Sequence, residues 1–171
     1  MEYKVNLSKT SRTITKIGIG SMALCLFAMW YFLDPTRNFI GGWAGAIFFT
    51  ILIICATYYA ILMWPRRITV YADRLVLKRA IGSKVLLFDD IECIERRNDT
   101  AFGMKLCGSD GMFGYTGWFT NSDFGRYMSY VGDYKDTFLI VTRKRKYVMS
   151  CDHPDELVAE VKRRIEARHE A

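Results

Sequence analysis

Few side chains in this sequence could do covalent or metal chemistry, and their spacing argues against it. The histidines are His153 and His169, and the five cysteines, Cys25, Cys55, Cys93, Cys107 and Cys151, show no CxxC spacing. Neither a zinc site, a disulfide framework nor a thiol–imidazole pair follows. Asp89-Asp90 and Glu92-x-x-Glu95 are the densest acids. Acid–base work would need two of them converging, whereas Asp89-Asp90 has the composition of a turn and the strand after it has that of a solvated edge. No Ser-His-Asp order and no GK[ST] phosphate loop is present. The expectation is a protein that is not an enzyme and needs no metal and no cofactor; the alternative, a membrane-associated enzyme, would have to rest on Asp89, Asp90 or His153.

What the sequence does concentrate is glycine, aromatic rings and cations. Seven of the 13 glycines lie from Gly103 to Gly132, among Phe113, Tyr115, Trp118, Phe119, Phe124, Tyr127 and Tyr130. Glycines at 108, 111, 114 and 117 recur every three residues, which permits positive φ and close backbone approach. The segment reads as a long loop with two possible roles. Either its rings touch lipid, a partner protein or the base of a membrane anchor, or the loop folds back and its rings join the core, because bare rings in water invite aggregation. Arg143-Lys-Arg-Lys146 puts four cations at one hairpin tip. Each would contribute about 1 kcal/mol of attraction to an anionic leaflet, unless the tip is only a solvated turn that discourages edge pairing. The candidate contact residues are therefore Phe113, Tyr115, Trp118 and Phe119 with Arg143, Lys144, Arg145 and Lys146.

A net charge of +6, from 24 Lys and Arg against 18 Asp and Glu, raises the question of nucleic acid. The distribution answers it. No charge falls between Arg37 and Arg66, and on the last segment Glu156, Glu160, Glu166 and Glu170 intersperse Lys162, Arg163, Arg164 and Arg168, which is not a basic stripe. No nucleic-acid partner is expected.

The uncharged stretches, Ile17 to Leu33 and Asn38 to Pro65, have the length of membrane spans, reaching about 25 Å and 40 Å as helices against a hydrocarbon core of about 30 Å. Neither shows a polar face, as a buried helix of a soluble protein would. Trp30, Tyr31 and Phe32 stand where a signal peptide would need small residues. Lys4, Lys9, Arg12 and Lys16 precede the first span and Arg66, Arg67, Arg74, Lys78 and Arg79 follow the second, so both termini are expected in the cytoplasm. Asp34 to Asn38 would be a tight turn. Gly41 and Gly45 form a GxxxG pair that would pack on the first span near Ala28 or dimerise the chain. No Asp, Glu, Lys, Arg or His lies inside either span, leaving no candidate for a proton or ion path.

After Pro65 the chain alternates apolar and charged residues between turn signals, predicting strands at 68–71, 75–80, 84–88, 91–97, 127–131, 137–142 and 147–150. A final helix, opened by Asp152 or His153 with Pro154, Asp155 and Glu156 in its first turn, lines up Leu157, Val158, Val161 and Ile165. The expected organisation is a cytoplasmic tail over 1–16, a two-helix transmembrane hairpin over 17–65 and a β domain over 66–171, a seven-stranded antiparallel barrel or sandwich capped by one helix.

Seven strands and a capping helix resemble the pleckstrin-homology fold. The residues Gly111-Met-Phe-Gly-Tyr-Thr-Gly-Trp-Phe119, Gly125-Arg-Tyr and Ser150-Cys-Asp-His-Pro-Asp-Glu156 resemble the bacterial pleckstrin-homology domain family over about 66–168. Many members carry such an anchor. The resemblance implies a binding module without catalytic residues, held by the lipid bilayer of the plasma (inner) membrane. It would contact another membrane protein or itself, as a homo-oligomer, at the inner leaflet, or sense anionic lipid headgroups. The junction Tyr71-Ala-Asp-Arg-Leu75 sets an acid beside one Arg, unlike the basic loop with which eukaryotic members hold inositol phosphates.

Overall fold

The structure, a computed structural model, describes residues 1–32, 40–97 and 103–169. The chain enters its β domain before it enters its helices. Glu2–Lys4 form β1, which pairs antiparallel with β2, Pro65–Val70, and the terminal ammonium donates to the Val70 carbonyl at 3.1 Å. The segment expected to be a tail is thus tied into a sheet at its start. A three-residue strand owes its existence to a partner far along the chain, and local alternation cannot reveal that.

After β1, Ser8 caps α1, Lys9–Tyr31, its side chain accepting from the Ser11 N–H at 3.1 Å and satisfying one donor that the first helical turn leaves over. The helix begins before the uncharged run and carries Arg12 and Lys16 in its early turns. α2, Ile40–Met63, ends just before Pro65, whose missing N–H suits the start of a strand and not the continuation of a helix. Both helices are long and apolar enough to cross a membrane. They touch through Trp30 and Trp43, with ring centroids 5.8 Å apart, and through the Trp30 indole N–H, which donates to Thr50 Oγ1 at 3.3 Å. Most of their apolar surface is bare: Leu24 and Phe27 are each 67% exposed and Phe48 is 62% exposed. The turn expected at 34–38 lies outside the described residues. A Cβ on Gly45 would meet open space, so the close helix approach expected of the GxxxG pair is not made at that residue.

The domain has ten strands among the described residues, not seven. β1, β2, β3 (Arg74–Arg79) and β4 (Ser83–Leu87) form one antiparallel sheet. The second is built from β5 (Ile91–Arg97), β6 (Met104–Gly111), β7 (Gly114–Asn121), β8 (Gly125–Val131), β9 (Thr137–Thr142) and β10 (Lys146–Ser150), in the order β5-β9-β10-β8-β7-β6. It is mixed, since β10 returns from β9 to lie parallel to β8. The glycine-aromatic segment expected as a loop supplies β6 and β7. Gly108 and Gly117 face each other there, at φ +137° and +126°, and a Cβ on either would strike the backbone of the other strand. Glycine, which lowers strand propensity elsewhere, is here what lets two strands pair.

Ile68, Leu75, Leu77, Phe138, Ile140 and Met149 fill the space between the sheets, closed by Leu157 and Val161 of α3, Pro154–His169. Along β9 and β10 the alternate residues Leu139 and Val148 turn the other way, into a second cluster with Tyr115, Phe119, Tyr127 and Val131. Burial on both faces explains the unbroken apolar runs of these strands.

Candidate functional site

The β6–β7 turn is spent on the helices. Ser11, fully buried, donates its hydroxyl to the Gly111 carbonyl at 2.5 Å. The Phe113 N–H, on a residue at φ +58°, donates to Thr15 Oγ1 at 2.9 Å, and the Phe113 ring lies 5.3 Å from that of Trp64 at the end of α2. Arg66 stacks on the far partner of this pair, 4.5 Å from the Trp64 ring. These contacts clamp the base of the two helices to the domain. The rings divide between the two roles read for the segment: Tyr115 and Phe119 turn into the core, while Phe113, buried as well, meets the base of the anchor. Tyr115 packs on Tyr134 at 4.4 Å and Phe119 on Tyr127 at 5.9 Å. Burial pushes the phenols of Tyr115 and Tyr134 up, so both stay neutral.

Trp118 alone among the four candidate rings stays half-exposed, and it meets the cationic turn. Trp118 pairs with Met128 across β7–β8, and Met128 with Tyr147 across β8–β10. Arg126 and Arg145, two residues earlier on their own stretches of chain, therefore fall beside its ring. Their guanidinium carbons stand 4.5 Å and 5.4 Å from the Trp118 centroid, within the range of an attractive cation–π contact. The sequence had placed the aromatic and basic candidates in separate elements; register joins one ring to one cation of the four. Lys146 turns aside, donating to the Phe124 carbonyl at 2.8 Å. Arg143, Lys144 and Arg145 are exposed.

Close by, Lys84 lies 5.7 Å from the Tyr147 ring, on the wall of a cleft of about 360 Å³ between β4 and the β9–β10 turn that Lys144, Leu87 and Asp90 also line. The buried Tyr130, next on the same face, has its phenol pushed up by burial and pulled down by Arg79, with Tyr147, Tyr59 of α2 and Arg145 also near enough to act on it. Arg79 reaches Met63 Sδ at 3.4 Å. Trp118 pairs with Cys107 across β6–β7, and Cys107 shares a cleft with Tyr59 and Ala60, so the Trp118 stack lies on the side of the domain turned to α2. Among the described residues, no carboxylate lies within ion-pair distance of Arg126, Arg143, Lys144, Arg145 or Lys84.

Arg126 and Lys84 escaped the sequence reading. Arg126 stands in Gly125-Arg-Tyr, one cation in a run of polar and aromatic residues, and only the β7–β8 register reveals what it faces. The other sequence candidates for chemistry lie apart. Asp89 pairs with Arg168 at 3.2 Å and Glu95 with Arg97 at 2.8 Å. Asp152, read as a helix cap, instead accepts from the Lys4 N–H at 3.1 Å and so fastens β1. Burial pushes the Cys151 thiol up to about 12, leaving it an unreactive core residue.

A family model described as Bacterial PH domain matches residues 66–165. No curated protein matches the chain, and no solved structure does.

Proposed function

The chain belongs to the Bacterial PH domain family, and from that premise we infer that it is a binding module anchored in a bilayer by α1 and α2, without catalytic activity, whose ligand is a component of the same membrane. The observation that carries this reading is the bare apolar surface of the helices. In their most apolar windows α1 has 0% and α2 11% of its residues buried. A helix from the core of a soluble protein would be covered, and these two need an apolar solvent. The flanking cations, Arg12 and Lys16 in the early turns of α1 and Arg66 and Arg67 after α2, favour both termini and the domain in the cytoplasm at the inner face of the plasma membrane.

The clamp at Ser11, Thr15 and Trp64 makes the reading one of presentation and not merely of tethering. A domain on a flexible linker would sample all orientations. One bonded to the base of its anchor keeps a fixed face toward the headgroups, which raises its effective concentration toward anything in that plane. The test is alkaline carbonate extraction of membranes containing the full chain, with protease added to intact cells. The chain is expected in the pellet and its domain uncut. Release into the supernatant, or cleavage of the domain from outside, would sink the reading.

A further inference from the structure

We propose that the Trp118–Arg126–Arg145 stack, with Lys84 and Lys144 on the adjoining cleft, binds the headgroups of anionic phospholipids in the membrane that holds the chain. This rests on the anchored reading and gives it a ligand class. Three observations converge on lipid. The first is position, because Trp118 pairs with Cys107, which lines one cleft with Tyr59 and Ala60 of α2, and Arg79 reaches Met63 Sδ at the foot of the same helix. A ligand approaching this face comes from the side where the helices enter the bilayer. The second is charge: four of these five side chains are cations without a carboxylate partner among the described residues, around one acid, Asp90. Cations left unpaired at a membrane surface gain most from an anionic leaflet. The third is the ring. A tryptophan half out of the domain suits the headgroup depth, and it gathers two guanidinium groups at one ring, each able to donate to phosphate oxygens in the fork geometry that Arg provides.

The location differs from the loop after β2, where Asp73 already pairs with Arg74 at 3.3 Å. It also leaves Phe113, Tyr115 and Phe119 to the interior.

β1 belongs to the sheet, so the test uses the full chain. The protein, extracted in a non-ionic detergent, is offered equal amounts of phosphatidylglycerol and phosphatidylcholine with matched acyl chains, and the lipids retained are counted by native mass spectrometry. Phosphatidylglycerol should be retained preferentially, and R126Q/R145Q should lower that preference about tenfold, the combined effect of two cations near the surface after screening. W118A should weaken it as well, with W118F recovering most of the loss. K135Q/K162Q, which removes the same charge elsewhere, should leave it unchanged. Should the double variant not fold, R126Q and R145Q singly, each expected to cost about threefold, carry the test.

The proposal is overturned if R126Q/R145Q retains the preference, or if K135Q/K162Q loses as much, which would make the effect diffuse charge. It is overturned equally if inorganic phosphate displaces the lipid, which would make this a free-anion site, or if a copurifying protein covers Trp118. In each of these cases carbonate extraction reads the anchored function separately. A chain released by carbonate would overturn both.

Discussion

Arginines in two regions of this domain have opposite fates. On α3 and β5 they are met by acids: Arg163 and Arg164 both hold Glu160 at 2.6 Å, Arg168 holds Asp89, and Arg96 reaches Asp136 at 3.6 Å and Asp155 at 3.7 Å. On β8 and the β9–β10 turn, Arg126 and Arg145 find a tryptophan ring instead of a carboxylate. Exposed ion pairs add little stability, at most about 1 kcal/mol each, so the acids on the α3 side serve mainly to neutralise that surface. The Trp118 side keeps its field. The lesson is that a net charge of +6 says little about a ligand until the paired cations are set aside.

The most drastic way to break this contrast is at its scaffold. G117V would force a β-branched residue into a φ of +126° and its Cβ into the Cys107 carbonyl and Gly108 Cα. It should cost more than about 3 kcal/mol through strain and overpacking, taking the β6–β8 wing and its phosphatidylglycerol preference together. Near-UV circular dichroism in detergent reads the first and native mass spectrometry the second. L157A, in the core beneath the ion-paired side, should destabilise by about 2–5 kcal/mol yet leave the lipid preference of the surviving folded protein intact. R145Q should do the reverse, staying within about 0.5 kcal/mol of wild type because it removes only a surface group.

S11A removes the buried bond to Gly111 and should cost about 1–3 kcal/mol. Its sharper consequence is faster amide exchange at Gly111–Gly114, which would show that the clamp holds the domain against the helices.

The smallest effect belongs to Glu160, whose carboxyl is held below its ordinary value by the hydrogen bond from Arg164 and the charges of Arg163 and Arg164. A lowered folded value means stability present above the unfolded carboxylate range and lost as pH falls through the folded one. E160Q should therefore flatten the acid limb of a melting-temperature profile slightly, without touching lipid preference.

Much of this was written in local pattern. The apolar helices, seven of the strands and the inward face of α3 at Leu157, Val158 and Val161 follow from run length and periodicity. What escaped depends on pairing at a distance. β1 exists because Tyr3 lies opposite Ile68, and β6 and β7 exist because Gly108 and Gly117 pass close together. Glycine every third residue was legible as close approach but not as two strands. Half of the candidate site suffered the same way. Trp118 and Arg145 could be named singly, yet their meeting, and the arrival of Arg126 between them, depends on the β7–β8–β10 register, which no window of sequence contains.

The central claim is that one face of the domain is held to anionic lipid while the other looks into water. Hydroxyl-radical footprinting of the full chain in nanodiscs, comparing phosphatidylglycerol with phosphatidylcholine, tests it most directly. Trp118 should lose reactivity several-fold in the anionic discs while Tyr71, whose carbonyl accepts from Arg164 on the α3 side at 2.6 Å, reacts equally in both. Equal reactivity of Trp118 in the two lipids, or equal protection of Trp118 and Tyr71, would contradict the account.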